Sequence, residues 1–572
     1  MQWISCAVAI ILFSFVPSSH GVLSGIVGSS GAYALGTLLM LGLVAAMPAV
    51  WPQPTSPRDG VRPRTFVALT IVLAGIALLA VVAFKLLATV FAGPLDPNRG
   101  DMLVIVEHAI TLFLEGGNPY AIHKVPWDAP LSYGPVLWLP FVVPHMLRID
   151  LRVITLAAQF VVPLSLFVAA SLTARRGEMA KSIAFLALAV ALTLNPDVQR
   201  FHAIGHTQIY WPLLLCFAGL LASGRYMAAA ATLGLMVAAR TTLVSIVPIF
   251  FLFLAGNRLL TWRQIAAFVI AASAPFIPFL IADPETLRYA MFGVYLKVMK
   301  GFVWYSTTWT QDTYGLTGRL LERGLERYVE LAQAIALLVT YAAAWRSLRR
   351  GGRPEPWMVL SLLVFSMTTL WPVAYLYFDV TVLAACALLA AGTDPAAPAA
   401  QRDRVRNSIA LRVAMAAAVS LVIVFACAAI RPGARYAIDV GSPLASGLTG
   451  GGFGRDEAVT DGARTVVWIE GETARVRLPR AGWRDASIDI AIKPGLSRGG
   501  SAQRVAVSLN GRGLGMAALA DGWQEIRLNS RGRDWNYGFN VLDLAFSYAT
   551  PLNPQSGDQR AVAAAVDWIA VE

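Results

Sequence analysis

The sequence predicts a polytopic α-helical membrane protein that ends in an extramembrane β-sandwich. Three observations predict it. Only 14% of the residues are charged, against about 25% in soluble globular proteins. Apolar runs such as 66–92 and 152–172 recur before residue 431, and about 20 apolar residues suffice to span a bilayer. From about Thr465 the pattern changes to short alternating runs separated by Gly, Asn, Pro and Asp, the mark of strands and turns.

The stretch 1–16 has no Lys or Arg before its apolar core. It therefore lacks the charged start of a signal peptide and reads as a retained membrane segment, with a signal peptide as the alternative. Residues 1–65 then form N-terminal membrane segments and a cytoplasmic loop. The stretches 58–64, 175–181, 258–263, 346–353 and 402–412 are short and basic, which places them in the cytoplasm. The loops between them fall outside: 93–135, 195–206, 283–319, 371–379 and everything after 431. About 11–13 spans result.

The net charge is +12, yet the tail 432–572 carries 15 basic and 15 acidic residues. The surplus lies in the membrane part, as the positive-inside rule requires, and does not indicate nucleic-acid binding. Cys6, Cys216, Cys386 and Cys427 all sit in apolar runs, so a disulfide framework or a metal cluster is not expected.

Within the first outer loop, 102–114 has apolar residues on one side and reads as an amphipathic helix on the membrane surface. The stretch 136–174 is too long for one helix; a half-inserted helix over 136–147 followed by a span fits it. The stretch 224–263 is basic at both ends and interrupted at Arg240-Thr241-Thr242. A helix up to Arg240 covers about 20 Å, short of the roughly 30 Å core. A hairpin that turns back would put Arg240 deep in the protein, where it either pairs with a buried carboxylate or holds a lipid phosphate.

The last span is expected near 412–430. A flexible linker over 432–464 follows, with "GLTGGGFG" as its sign. A jelly-roll-like β-sandwich over 465–572 comes last. Its strands are "VVWIEG", "ARVRLP", "SIDIAI", "RVAVSLNGRG", "WQEIRLN", "NVLDLAFSYA" and "AVDWIAVE". Asn510-Gly511 suits the positive φ of a hairpin turn.

Candidate chemistry clusters on the outer face. The first loop offers Asp101, Asn118, Tyr120, Lys124 and Tyr133; the second offers His202, His206 and Gln208. Trp309 and Asp312 stand in "YSTTWTQDTYG", and Tyr375, Tyr377 and Asp379 in "WPVAYLYFDV". Aromatic rings stack on the apolar face of a sugar while amides and carboxylates bond its hydroxyls. Asp101 is also placed to cap a helix starting at Met102. Trp523 and Trp535 read as stacking residues or as core.

The pattern "GDMLVIVEHAITLFLEGGNPYAI…SYGPVLWLP", with "IGHTQIYWP…VAARTTLV" and "WPVAYLYFDV", resembles the GT-C superfamily of membrane glycosyltransferases. It is most similar to polyprenyl-phosphate-mannose-dependent mannosyltransferases of the glycosyltransferase 87 type. The resemblance covers roughly 66–389 and implies that 66–431 is a GT-C-like catalytic domain. In that family an aspartate opens the first outer loop ahead of a G-x-P-Y element; here Asp101 precedes Gly117-Asn118-Pro119-Tyr120. The family often has Tyr-Pro-Pro where this chain has Tyr133-Gly134-Pro135. It often has Lys-Pro at Arg240-Thr241 and His-Tyr near Tyr377-Phe378.

The resemblance implies a transferase in the plasma (inner) membrane, with its C-terminal domain outside. A mannose-like sugar would pass from a polyprenyl phosphate to a glycan or glycolipid acceptor, with inversion. Asp101 would be the general base; Arg240, with His206 and Lys124, would hold the lipid phosphate. Asn118, Tyr120, Tyr133, His202, Gln208, Trp309, Asp312 and Tyr377 would line the substrate site. No cofactor or metal is required, because the leaving group is a lipid monophosphate. The competing readings are a transporter or flippase and a ligase using a lipid-diphosphate donor.

Overall fold

A computed structural model of the chain describes residues 1–52, 65–90, 95, 100–125, 127–201, 207–296, 314–371, 375–392, 409–430, 436–442, 445, 448–454, 459–461, 464–480, 485–498, 500–536, 538–553 and 558–572. A helical part extends to Ile430 and a β region of several sheets follows.

The helix Leu151–Arg175 is the hub of the helical part, and 78% of its most apolar stretch is buried. Thr65–Val90, Met179–Leu194 and Ile409–Ile430 pack around it. Gln2–Phe15 packs on Met179–Leu194 and Leu376–Ala391, with Trp3 edge-on to Phe185 at 5.7 Å. Its buried Trp3, Cys6, Ile10 and Phe13 make it part of the core.

Among the described residues, five helices are long and apolar enough to cross a membrane: Pro17–Val50, Thr65–Leu87, Leu151–Arg175, Trp262–Ala282 and Glu326–Leu348. The other apolar helices are shorter, so about 11–13 full-length spans do not appear among the described residues. The shortness has local causes. A short 3-10 turn containing Pro at Leu139–Phe141 interrupts the α pattern, and extended backbone at Arg240 ends another helix.

The basic stretches 175–181, 258–263 and 346–353 are tight turns between helices, as expected. Gly177 and Gly351 take positive φ, and Thr261 opens Trp262–Ser273 through a capping box with Gln264. The stretch 58–64 and most of 402–412 lie outside the described residues. The half-length segment expected over 136–147 is present as Pro135–Trp138, Leu139–Phe141 and Val142–Met146, separate from Leu151–Arg175.

The helix Met102–Leu114 has the expected bounds, but it is not a surface helix. Met102 to Glu107, Ala109 and Ile110 are all buried, which covers every side of its first two turns. The sequence suggested one wet face because Glu107 and His108 interrupt the apolar residues; both are covered by packing. After it, β1 (Ile122–Val125) and β2 (Trp127–Pro130) pair as a small hairpin.

The β region holds β3 (Tyr436–Asp439), β4 (Val459–Asp461), β5 (Arg464–Glu470), β6 (Thr473–Arg480), β7 (Ala486–Pro494), β8 (Arg504–Leu509), β9 (Arg512–Ala518), β10 (Gln524–Ser530), β11 (Gly538–Phe546), β12 (Thr550–Asn553) and β13 (Asp558–Val571). One sheet runs β10-β7-β13-β5-β4, with β3 and β12 also paired to β13; the other runs β6-β11-β8-β9. Ile488, Ile490, Val566 and Ile569 of the first share one core with Val476, Leu478, Val507 and Leu542 of the second. Alternation explains this: every second residue of β8 is buried.

All seven expected strands are present. Asn510 (φ 54) and Gly511 (φ 79) form the turn between β8 and β9. The expected linker is corrected. Within 432–464, β3 and β4 pair into the larger sheet, and Ala445, Leu448 and Phe453 are buried in the β core. A side chain at Gly452 (φ 96) would meet the Thr473 carbonyl at 1.9 Å, so this glycine is packed rather than loose. Trp535 is core, its indole donating to Ser530 at 2.8 Å, and Trp523 is half-buried.

Candidate functional site

Helix Tyr226–Ala239 ends because Arg240 turns to extended backbone (φ −145, ψ 120). Against that end lies Gly134, directly before the helix Pro135–Trp138. A Cβ at Gly134 would meet the Ala238 carbonyl oxygen at 1.8 Å, so only glycine allows this approach. The close contact brings the Ser132-Tyr133-Gly134-Pro135 loop beside Arg240. Tyr120 then fixes the loop: its hydroxyl donates to the Tyr133 carbonyl at 3.2 Å and accepts from Trp138 Nε1 at 3.2 Å.

The Arg240 side chain is only 10% exposed. Its Nε lies 3.9 Å from Asp379 Oδ2, and its guanidinium stands 4.8 Å from the centre of the Tyr375 ring. Asp379 is 1% exposed and is held on both oxygens. Tyr210 donates to Oδ2 at 2.5 Å and Trp211 Nε1 donates to Oδ1 at 3.0 Å. A buried carboxylate tolerates its charge when it is hydrogen-bonded and faces a cation. Arg240 Nη1 has no hydrogen-bond partner among the described residues. Arg240 thus pairs with a buried carboxylate on one side and keeps a donor unspent on another.

Asp101 occupies the N-cap position of Met102–Leu114, but its side chain makes no capping bond. Both the Asp101 carboxylate and the Arg240 guanidinium lie within electrostatic reach of the Tyr133 and Tyr375 hydroxyls. Four stretches far apart in sequence therefore converge: the Asp101 helix end, the Tyr133 loop, the Arg240 break and the Tyr375–Asp379 turn. A carboxylate, phenols and a desolvated cation in one place can accept a proton, bond hydroxyls and hold an anion.

The other expected site residues are placed as follows. Tyr120 is buried among Trp138 and Phe279, a positioning role rather than a ligand contact. Asn118 accepts from the Tyr120 backbone at 2.9 Å and donates to Asp283 at 3.4 Å, which makes it a turn former. Tyr377 is buried and donates to the Tyr314 carbonyl at 2.7 Å. Lys124 is exposed on β1 opposite Asp128 and does not join Arg240. Gln208 is fully buried, with no partner for either amide atom among the described residues. His202, His206, Trp309 and Asp312 lie outside the described residues.

Tyr210 and Trp211 were not singled out from the sequence. Their signal is indirect: Asp379 stands in the apolar run 376–391, and a carboxylate there requires donors from elsewhere. Comparison with known proteins yields no matching family model, no matching curated relative and no matching solved structure.

Proposed function

We propose that the chain is a membrane glycosyltransferase that moves a mannose-like sugar from a polyprenyl phosphate to a glycan or glycolipid acceptor on the outer face. The observation that carries this reading is the gathering of Asp101 and the buried Arg240 around Tyr133 and Tyr375. Its setting supports it. Along Trp262–Ala282 only Gln264 and Phe279 are buried, and only 17% of the most apolar stretch of Glu326–Leu348 is. Such surfaces fit lipid contact and would not stay soluble in water.

In this reading Asp101 accepts the proton of an acceptor hydroxyl. The freed oxygen attacks the anomeric carbon from the face opposite the phosphate, and the bond from that carbon to the phosphate oxygen breaks. The lipid phosphate leaves with the electron pair, and Arg240 Nη1 donates to it. Asp379 keeps the guanidinium oriented while Tyr210 and Trp211 hold Asp379 in place. Inversion at the anomeric carbon follows from a single displacement.

The test uses protein in nanodiscs, a polyprenyl-phosphate sugar and a glycan acceptor extract. Wild type should release polyprenyl phosphate and form a glycoside inverted relative to the donor. Arg240→Ala should weaken polyprenyl-phosphate binding about 10- to 100-fold, the range for losing a charge-assisted bond. Retention of configuration, or unchanged lipid-phosphate binding in Arg240→Ala, would contradict the assignment.

A further inference from the structure

Among the described residues, two side-chain contacts join the β region to the helical part, one on the helix Met102–Leu114 and one just after Val142–Met146, which packs on it. Arg477 on β6 places Nη1 3.8 Å from Glu107 Oε1, on the second turn of Met102–Leu114. Glu107 is 9% exposed and Arg477 37%, so the pair is closed on the helix side and open on the β side. At the second point Arg148 Nη1 donates to Asn510 Oδ1 at 3.3 Å.

The second contact is conformationally unusual. Arg148 closes the helix Val142–Met146 at φ 57, a place where glycine is the ordinary choice. Its backbone makes the matching bonds, Arg148 N to His145 O at 2.9 Å and Ile149 N to Pro144 O at 2.8 Å. Asn510, its partner, is also at positive φ, at the tip of the β8–β9 turn. An arginine in the left-handed region costs energy that a glycine would not. What the arginine adds is a side chain that reaches the β region.

The helix bears on the site directly. Its first backbone bond, Ile105 N to Asp101 O at 2.8 Å, ties Asp101 to the turn that leads to Glu107. The helix also packs on β1 and on Val142–Met146. We propose that Arg477 is a positioning residue: through Glu107 it holds Met102–Leu114, and with it Asp101, so that the β region sets the geometry of the site. The proposal rests on the transferase reading for its effect on rate, but not for its effect on the helix.

The charged and titratable neighbours of Glu107 are Arg477, Asp150 and Arg152. On the packed elements stand His123 and His145, with His108 on the helix itself. Burial holds His108 down to about 4 and lowers His123 and His145, so these rings stay neutral at physiological pH. Arg477 and Glu107 are therefore the pair that changes when one partner is replaced.

The experiment compares full-length wild type, Arg477→Ala and Arg477→Lys in nanodiscs at pH 8, where Glu107 is ionised, by two readouts. The first is amide hydrogen exchange of residues 102–114. The second is the kcat and KM for polyprenyl-phosphate sugar. Arg477→Ala should speed exchange of the helix about tenfold and lower kcat about tenfold with KM unchanged. Arg477→Lys should restore most of both, because it keeps the charge facing Glu107. Unchanged exchange in Arg477→Ala overturns the proposal whatever the activity. Faster exchange with unchanged kcat also overturns it, since the helix would then not govern the site. If wild type transfers no sugar, the transferase reading falls, and the exchange arm alone decides whether Arg477 holds the helix.

Discussion

Asp379 and Arg240 show how one residue sets the state of another. Asp379 spends both oxygens on Tyr210, Trp211 and the guanidinium, and the guanidinium keeps Nη1 free of partners among the described residues. Removing one member of a buried pair costs about 3–5 kcal/mol, because the other charge stays buried. Asp379→Ala should therefore lower stability by that amount, measured by denaturation in detergent, and should weaken lipid-phosphate binding along with it. Tyr210→Phe should cost less, about 1–2 kcal/mol, because Trp211 still donates.

Glu107 gives a pH dependence with a defined sign. Burial raises its carboxyl from the ordinary 4.5 to about 7, against the opposing pull of Arg477. A raised acid holds its proton in the folded state. Its stability is therefore complete below about pH 4.5 and is lost as pH rises through 7, with about 3 kcal/mol at stake. Thermal unfolding between pH 5 and 8 should show this loss in wild type, and Glu107→Gln should flatten it.

Gly134 decides geometry at the scale of elements. Its missing Cβ lets Pro135–Trp138 start against the carbonyl end of Tyr226–Ala239. Gly134→Ala forces backbone apart and should cost about 3 kcal/mol or more, at the upper end of overpacking effects. It should also separate Tyr133 from Arg240, so activity should fall further than stability predicts. Paired measurements of unfolding and of sugar transfer check both parts.

The same scale shows what the sequence made legible. Met102–Leu114, the interruption at Arg240 and the Asn510-Gly511 turn carry local signals: a cap position, a polar break in an apolar run, a residue pair suited to positive φ. β9 carries none, since its burial does not alternate and its residues are mostly exposed. β3 carries none either; its partner is β13 at the far end of the chain. Arg240 stands out in the sequence as a charge interrupting an apolar run, and Asp101 through the family resemblance. That they share Tyr133 and Tyr375, and that Asp379 backs Arg240, depends on packing between remote segments, which no local pattern encodes.

The whole molecule combines helices that expose apolar faces with a β region that meets the helical part at Glu107 and Arg148. This arrangement suits the proposed chemistry on a lipid-linked donor. The central claim is that Asp101 takes the acceptor proton in that setting. Release of polyprenyl phosphate by wild type and by Asp101→Asn, in nanodiscs with a glycan acceptor, tests it most directly. Asparagine keeps the shape and removes the base, so the rate should fall about 10²- to 10⁴-fold with donor binding retained. An Asp101→Asn protein that folds, binds donor and transfers sugar at the wild-type rate would contradict the account.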